Sequence, residues 1–159
     1  MAGPTDGDDM STSTLGRLLP ASIALAFVLT GCSSTPQVSL ATLTQHDWSL
    51  VEATDADGHT DTALHGGDRA PIRLSFQTER LGISNSCNGM GGEYELNNDR
   101  LEIGNLMQTM MACEPELMAR ESAIKARLQQ PLNLRFDPQD ARLTLINDSG
   151  VMVFEPVNQ

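Results

Sequence analysis

Three cysteines and three histidines are the side chains of this chain best suited to nucleophilic chemistry. A reactive cysteine needs a base within hydrogen-bond reach and a lowered pKa. His59 and His65 fall in a loop predicted over residues 54–70, which could fold toward Cys87, whereas His46 begins a predicted strand. A Cys–His hydrolase is therefore one hypothesis, but a disulfide at Cys87 would abolish its chemistry.

The same loop contains a run of possible metal ligands, Asp55, Asp57, His59 and Asp61. A calcium loop that began at Asp55 would close with a bidentate glutamate at its twelfth position, where Gly66 stands instead. A solvated acidic loop explains the run better, so we predict no metal site and no cofactor.

Cys32 has a different chemical context, because it follows a short apolar stretch. Residues 18–29 contain no charge, and about a dozen such residues suit a signal peptide better than a membrane-spanning helix. Arg17 supplies a positive flank, and Leu29-Thr30-Gly31-Cys32 resembles the lipobox of bacterial lipoprotein signals. This resemblance implies a signal peptide over residues 1–31 and a lipid on Cys32, the first mature residue.

The first nine residues do not suit a signal peptide, because they carry Asp6, Asp8 and Asp9 where positive charge is expected. A start at Met10 would remove them. The alternative is a signal that tolerates an acidic extension. Ser33 follows the lipidated cysteine, and an aspartate there would have resembled an inner-membrane retention signal. We therefore expect palmitate-type acyl chains to hold the protein in the outer membrane, facing the periplasm.

If Cys32 is acylated, Cys87 and Cys113 remain as an even pair in an oxidising compartment. Both the count and the compartment favour a disulfide, which would stabilise the fold by about 3–4 kcal/mol in the chain-entropy model. Two buried free thiols are the alternative.

The composition of residues 32–159 excludes several classes of function. Their 9 basic and 18 acidic side chains leave a net charge of −9, which repels phosphate backbones and anionic lipids. Nucleic-acid binding is therefore not expected, and membrane attachment must come from the anchor. Aromatic residues make up only 4% of the chain, too few for a stacking platform.

The remaining sequence predicts a tether over residues 32–42 and one domain over residues 43–157. Alternating apolar residues predict strands, with Trp48 and Leu50 facing inward in the first and Ile72, Leu74 and Phe76 in the second. The loop at residues 54–70 has room for one short strand. Further strands are predicted at residues 81–85, 91–96, 100–103, 107–111, 133–136, 142–146 and 151–154.

One helix is predicted over residues 115–129, with Pro115 in its first turn and Pro131 after its end. The predicted fold is therefore α+β: an antiparallel curled sheet or partial barrel with one main helix. Glu121 falls on the helix stripe formed by Leu117, Ile124 and Leu128. Its carboxylate could accept hydrogen bonds from the N–H groups of residues 87–92 or from the Thr109 hydroxyl. Alternatively, it reaches water at the edge of the stripe.

Two further clusters allow more than one interpretation. The glycine-rich run at residues 87–92 is either a chain reversal with Asn88 bonded to local backbone, which we favour, or a loop that binds a peptide or anion. Core packing accounts for the four methionines near the helix, and a pliable binding surface is the secondary possibility. They are Met107, Met110, Met111 and Met118.

Several of these residues together resemble the META domain, a family that includes the HslJ-like heat-inducible lipoproteins of bacteria. The resemblance runs from about residue 48 to residue 154. It rests on a Cys-Asn…Gly-x-Tyr…Thr-x-Met-Ala-Cys pattern followed by a helix with a glutamate. The matching residues are Cys87, Asn88, Gly92, Tyr94, Thr109, Met111, Cys113 and Glu121.

The resemblance implies a small β-rich domain without established catalysis, linked to envelope stress. We therefore expect a non-enzymatic, lipid-anchored envelope protein with a structural or protein-binding role and an unidentified envelope protein as its partner. The alternative is a pilot or chaperone-like module that holds an apolar peptide or lipid tail in a cleft between helix and sheet.

Overall fold

A computed structural model describes residues 37–157. It contains three helices and nine strands, and within the described residues no helix is long and apolar enough to cross a membrane. The helices are α1 (Leu40–Thr44), α2 (Thr62–His65) and α3 (Pro115–Leu128). The strands are β1 (Asp47–Thr54), β2 (Arg73–Phe76), β3 (Arg80–Ser84), β4 (Met90–Asn97), β5 (Arg100–Ile103), β6 (Met107–Gln108), β7 (Leu132–Asp137), β8 (Arg142–Asn147) and β9 (Gly150–Val157).

Eight of the strands form a closed antiparallel barrel. Their order is β3-β2-β1-β9-β8-β7-β5-β4, and a further pairing of β3 with β4 closes the ring, while β6 adds to β4 outside it. The prediction of an antiparallel sheet with one main helix is confirmed, but the barrel is closed rather than partial.

Two glycines of β4 allow that closure. A Cβ atom on Gly91 would lie 3.0 Å from the carbonyl oxygen of Leu81 in β3. A Cβ atom on Gly92 would lie 2.9 Å from the carbonyl oxygen of Asn105 on the other side. Because real Cβ atoms rarely approach backbone so closely, the glycines let β4 fit between its neighbours.

The barrel interior is filled by the alternating apolar residues of its strands, as the sequence pattern predicts. Trp48, Leu50, Leu74 and Phe76 are all buried. The ring of Trp48 lies edge-on to that of Phe136, with the centroids 6.1 Å apart. A single aliphatic and aromatic core therefore runs through the barrel.

Helix α3 covers one end of the barrel. Pro115 occupies its first turn. Lys125 and Arg127 lie in its last turn, where positive charge interacts favourably with the helix dipole. Ile124 and Leu128 are fully buried. We call this end, which also holds the β3–β4 and β8–β9 connections, the α3 end.

Helix α1 covers the opposite end, where the β2–β3, β4–β5 and β7–β8 turns lie; we call it the α1 end. The Ser39 hydroxyl caps this short helix by accepting from the N–H of Thr42. Leu43 is fully buried, and its carbonyl accepts a hydrogen bond of 2.9 Å from Nε1 of Trp48.

The boundaries differ from the prediction in three places. Residues 37–42 of the expected tether are part of the folded domain, since Val38 is buried and α1 begins at Leu40. The loop at residues 54–70 contains α2 and a single bridge between Thr54 and Thr60 rather than a strand. The strand expected over residues 107–111 ends at Gln108, and the backbone N–H of Met111 donates to the side chain of Asn88 instead of to a strand.

Candidate functional site

Asn88 organises the segment that links β6 to α3. Its Oδ1 accepts from the backbone N–H of Met111 at 2.7 Å and from the Thr109 hydroxyl at 2.8 Å. Its Nδ2 donates to the carbonyl of Met111 at 3.4 Å. The side-chain amide therefore pairs with the N–H and the C=O of one residue, much as a neighbouring strand would, and it holds a segment that has no regular structure of its own.

Glu121 is buried, so its carboxylate does not reach water at the edge of the helix stripe. It accepts from the backbone N–H of Asn88 at 2.5 Å and from Nδ2 of Asn88 at 3.2 Å. Nε2 of Gln108 donates to it at 3.0 Å. The Thr109 hydroxyl, a predicted donor, bonds to Asn88 instead. Several donors thus offset the cost of burying a carboxylate.

A disulfide joins Cys87 to Cys113, with their Cα atoms 5.8 Å apart. It closes the same segment from its other end, because Cys87 adjoins Asn88 and Cys113 lies two residues before α3. The bonded sulfur of Cys87 is not a nucleophile. The Cys–His pair considered from the sequence is therefore not formed in this structure.

The other residues of the resemblance have distinct places. Gly92 lies in β4 at the close approach to Asn105. Tyr94 is at the α1 end, where its hydroxyl donates to the carbonyl of Gln77 at 2.6 Å and burial raises its pKa. The structure thus brings Asn88, Thr109, Met111 and Glu121 together but places Tyr94 elsewhere. Cys32 lies outside the described residues.

The four methionines are exposed, so core packing, the favoured interpretation, is wrong for them. The exposed fractions are 74% for Met107, 96% for Met110, 58% for Met111 and 41% for Met118. In the segment of residues 109–114 the inward contacts are made by the Met111 backbone, the Thr109 hydroxyl and the Cys113 sulfur, and not by the methionine side chains. We call Met107, Met110 and Met111 the methionine surface.

Two buried arginines of α3 were missed by the sequence analysis. Nη1 of Arg120 donates to the carbonyls of Ala70 at 2.9 Å and Asn85 at 3.1 Å. Burial lowers the pKa of this guanidinium, and the cation of Arg69 lowers that pKa further. Its close packing against Gly66 leaves no room for a Cβ atom there, which would lie 2.8 Å from Cζ.

Arg127 binds the opposite part of the same barrel end. It donates to the carbonyls of Thr54 and Ser149 and lies 3.9 Å from the Asp61 carboxylate. Burial lowers the pKa of Arg127, and Asp61 opposes that shift. Its position seven residues after Arg120, on the stripe of Ile124, is the signal that could have revealed both arginines.

The acidic loop remains a solvated loop. Ligand atoms of Asp55, Asp57 and His59 lie within 4.8 Å of one another, but all three residues are exposed. Asp55 Oδ1 already accepts from the backbone N–H groups of Asp57 and His59. The bond from His59 is the main reason that the pKa of Asp55 is lowered.

Ile124 and Leu128 are fully buried between α3 and the barrel. A cavity of about 290 Å³ lies beside α2 and α3, and its lining includes Arg69, Glu116 and Arg120. A second cavity, of about 590 Å³, opens beside β4 and β5, and its lining is acidic. The lining includes Glu79, Glu93, Glu95 and Glu102.

The fold and the site define a closed eight-stranded antiparallel barrel with a helix across one end, fixed there by a disulfide and a buried Asn–Glu pair. The chain belongs to the META domain family, whose model matches residues 41–159. No curated protein matches the chain.

Two solved structures share the fold. An NMR structure of a protein from Burkholderia xenovorans has a TM-score of 0.62 at 20% identity and covers 94% of this chain and 100% of that one. A second NMR structure has a TM-score of 0.57 at 25% identity and covers 75% of this chain and 95% of that one. These similarities show a shared fold and do not assign a function.

Proposed function

We propose that this chain is an HslJ-like lipoprotein of the bacterial envelope, acylated at Cys32 and held on the periplasmic face of the outer membrane. Its role is non-catalytic: it binds another envelope protein and contributes to envelope stress tolerance. Membership of the META family and the apolar run before Cys32 support the anchored, HslJ-like part of the proposal.

The observation that carries the binding role is the exposure of the methionine surface. Three methionines within five residues expose most of their area, whereas the other exposed large apolar side chains of residues 37–157 (Leu40, Val51 and Met118) expose no more than 42%. Apolar area left in water at one place is typical of a protein-binding site. Methionine side chains also adapt to partners of different shape.

The backbone beneath this surface is held in place before any partner binds. Asn88 pairs with the peptide of Met111, Gln108 bonds to Glu121, and the disulfide closes the segment at Cys113. A preorganised surface loses less conformational entropy on binding than a free loop does. The buried network therefore acts as the support of the binding surface.

The anchor is tested by replacing Cys32 with serine. We expect Cys32→Ser to move the protein from the membrane to the soluble fraction of lysed cells, because the acyl chains provide the attachment. Ser33→Ala is the matched control and should stay with the membrane. If the Cys32→Ser protein remained in the membrane fraction, the proposed anchor would be contradicted.

The binding role is tested by a photo-crosslinking amino acid placed at Met110 in intact cells. We expect a discrete adduct with an envelope protein. The control position is Val51 of β1, which is 42% exposed and lies away from the methionine surface. The same adducts from both positions, or none from Met110, would contradict a specific binding surface.

A further inference from the structure

The position at which the chain enters the barrel restricts how the domain sits on a membrane. Nε2 of Gln37 donates to Oδ1 of Asn98 at 3.0 Å, and the backbone N–H of Val38 donates to Oδ1 of Asp99 at 2.8 Å. The side chain of Val38 is buried. From Gln37 onward, the chain is therefore fixed to the β4–β5 turn, at the α1 end.

The α1 end and the methionine surface lie at opposite ends of the barrel. β4 begins at Met90, which pairs with Gln108 of β6, and it ends at Asn97, beside the turn that binds Gln37. The longest strands have eight residues. The seven residue-to-residue steps of such a strand, at about 3.3 Å each and a barrel tilt near 40°, separate the two ends by about 18 Å.

The chain between the proposed lipid and this fixed position is short. Five peptide steps separate Cys32 from Gln37. Fully extended, they span at most about 18 Å. This reach only equals the separation of the barrel ends. The lipid could therefore lie at the level of the α3 end only if the whole tether were fully extended along the barrel wall, which favours the α1 end as the one that faces the membrane.

We propose that the α1 end faces the membrane and that the methionine surface points away from it, into the periplasm. This inference rests on the proposed acylation of Cys32. It adds that the partner at the methionine surface is bound on the side of the domain remote from the lipid. A partner within the same membrane would have to extend beyond the bilayer surface to reach it.

The tether, and not charge, imposes this orientation. Exposed carboxylates at the α1 end are repelled by anionic lipids, and they include Glu79, Asp99, Asp137 and Asp140. Arg100 and Arg142 at the same end are paired with Glu102 and Glu155, and Arg80 at the start of β3 adds one more exposed cation, so the carboxylates remain in excess. A longer tether should therefore release the α1 end from the membrane surface.

The experiment uses the full-length acylated protein in vesicles of phosphatidylethanolamine and phosphatidylglycerol with a nitroxide on some headgroups. A fluorophore is attached through Thr78→Cys in the β2–β3 turn or through Met110→Cys in the methionine surface, with the disulfide intact. We expect the nitroxide to quench the fluorophore at residue 78 at least about threefold more than that at residue 110, because collisional quenching requires proximity. Equal quenching, or stronger quenching at residue 110, would overturn the orientation.

A variant with a longer tether tests whether the length of the tether sets the orientation. A Gly/Ser segment of about 20 residues inserted after Ser34 has a root-mean-square span of roughly 25 Å, and it should bring the two quenching values together. An unchanged difference would show that the tether does not set the orientation. Vesicle flotation separates the two proposals: a protein that floats but is quenched equally refutes only the orientation. A protein that does not float refutes the anchor and the orientation with it.

Discussion

The two ends of the barrel are closed by different chemistry. At the α1 end, the apolar side chains of Val38 and Leu43 are buried, and one bond from Trp48 satisfies the end of a short helix. At the α3 end, Ile124 and Leu128 are accompanied by a buried glutamate and two buried arginines whose partners are mostly backbone groups.

The connections between strands explain this difference. Tight turns at the α1 end leave few backbone groups to satisfy, so apolar burial is sufficient there. The α3 end holds the long connections at residues 55–72, 85–89 and 109–114. Buried N–H and C=O groups in such connections need partners, and the long polar side chains of α3 provide them. The polar end is thus also the end that can hold an irregular surface segment in one shape.

Removal of the disulfide at the α3 end should have the largest effect on the stability of the domain. We expect Cys87→Ala/Cys113→Ala to lower the free energy of unfolding by about 3.5 kcal/mol, since the bridge restricts the unfolded chain. Urea melts followed by the fluorescence of the single tryptophan measure it. Reduced wild-type protein should melt like the double variant, and a shift below about 0.5 kcal/mol would contradict the prediction.

Truncation of the apolar cap tests the α1 end. Leu43→Ala should cost about 3 kcal/mol, because a fully buried leucine leaves a cavity when it is shortened. Leu40→Ala, on the exposed side of the same helix, is the matched control and should change the stability by less than about 0.5 kcal/mol. Equal melting midpoints for the two variants would show that α1 does not close the barrel.

Variants of Glu121 test whether buried polar contacts stabilise the α3 end. Glu121→Ala should cost about 2 kcal/mol, since it leaves the N–H of Asn88 without its acceptor. Glu121→Gln keeps an acceptor and the shape, so it should cost less. Glu116→Ala removes an exposed carboxylate from the same helix and should be nearly neutral. Coincident urea midpoints of wild type and both Glu121 variants would refute a stabilising role.

Tyr94, at the α1 end, makes the stability of the domain depend on pH in the alkaline range. Because burial raises its pKa, the folded state keeps the phenol proton at a pH where the unfolded chain loses it. Its contribution is present below the unfolded pKa of about 10 and is lost as the pH rises through the folded pKa. Tyr94→Phe should cost about 1 kcal/mol at neutral pH through the lost bond to Gln77.

Tyr94→Phe should also remove the contribution of the phenol to the loss of stability at alkaline pH. Thermal melts of both proteins across the alkaline range measure this difference. Parallel curves would contradict a raised pKa.

The smallest stability effect is expected at the methionine surface. Met110→Ser should change the free energy of unfolding by less than about 0.5 kcal/mol, because the side chain is 96% exposed. It should nevertheless weaken partner crosslinking from the neighbouring position 111. A large loss of stability would show that Met110 is part of the structural support and not of the binding surface.

Most secondary structure of the described domain could be predicted from the sequence, because its signals are local. Alternation determined the inward faces of β1 and β2, and the predicted bounds of β5, residues 100–103, are those observed. Pro115 and Pro131 bracketed the helix to within one residue. The carboxylate on an apolar stripe also singled out Glu121, since such a position requires either burial with partners or access to water.

Tertiary structure alone decided the closure, the exposed surface and the partners of the buried charges. Whether a sheet closes depends on the meeting of β3 and β4, which is helped by the close approach that Gly91 allows to Leu81. Met110 and Met111 lie in an irregular segment that Asn88 holds through the backbone of Met111, a contact across 23 positions that no local pattern encodes. Arg120 and Arg127 are buried because distant loops present carbonyl groups to them at the α3 end. Local periodicity thus specified the elements, while long-range backbone contacts decided which surfaces they left exposed.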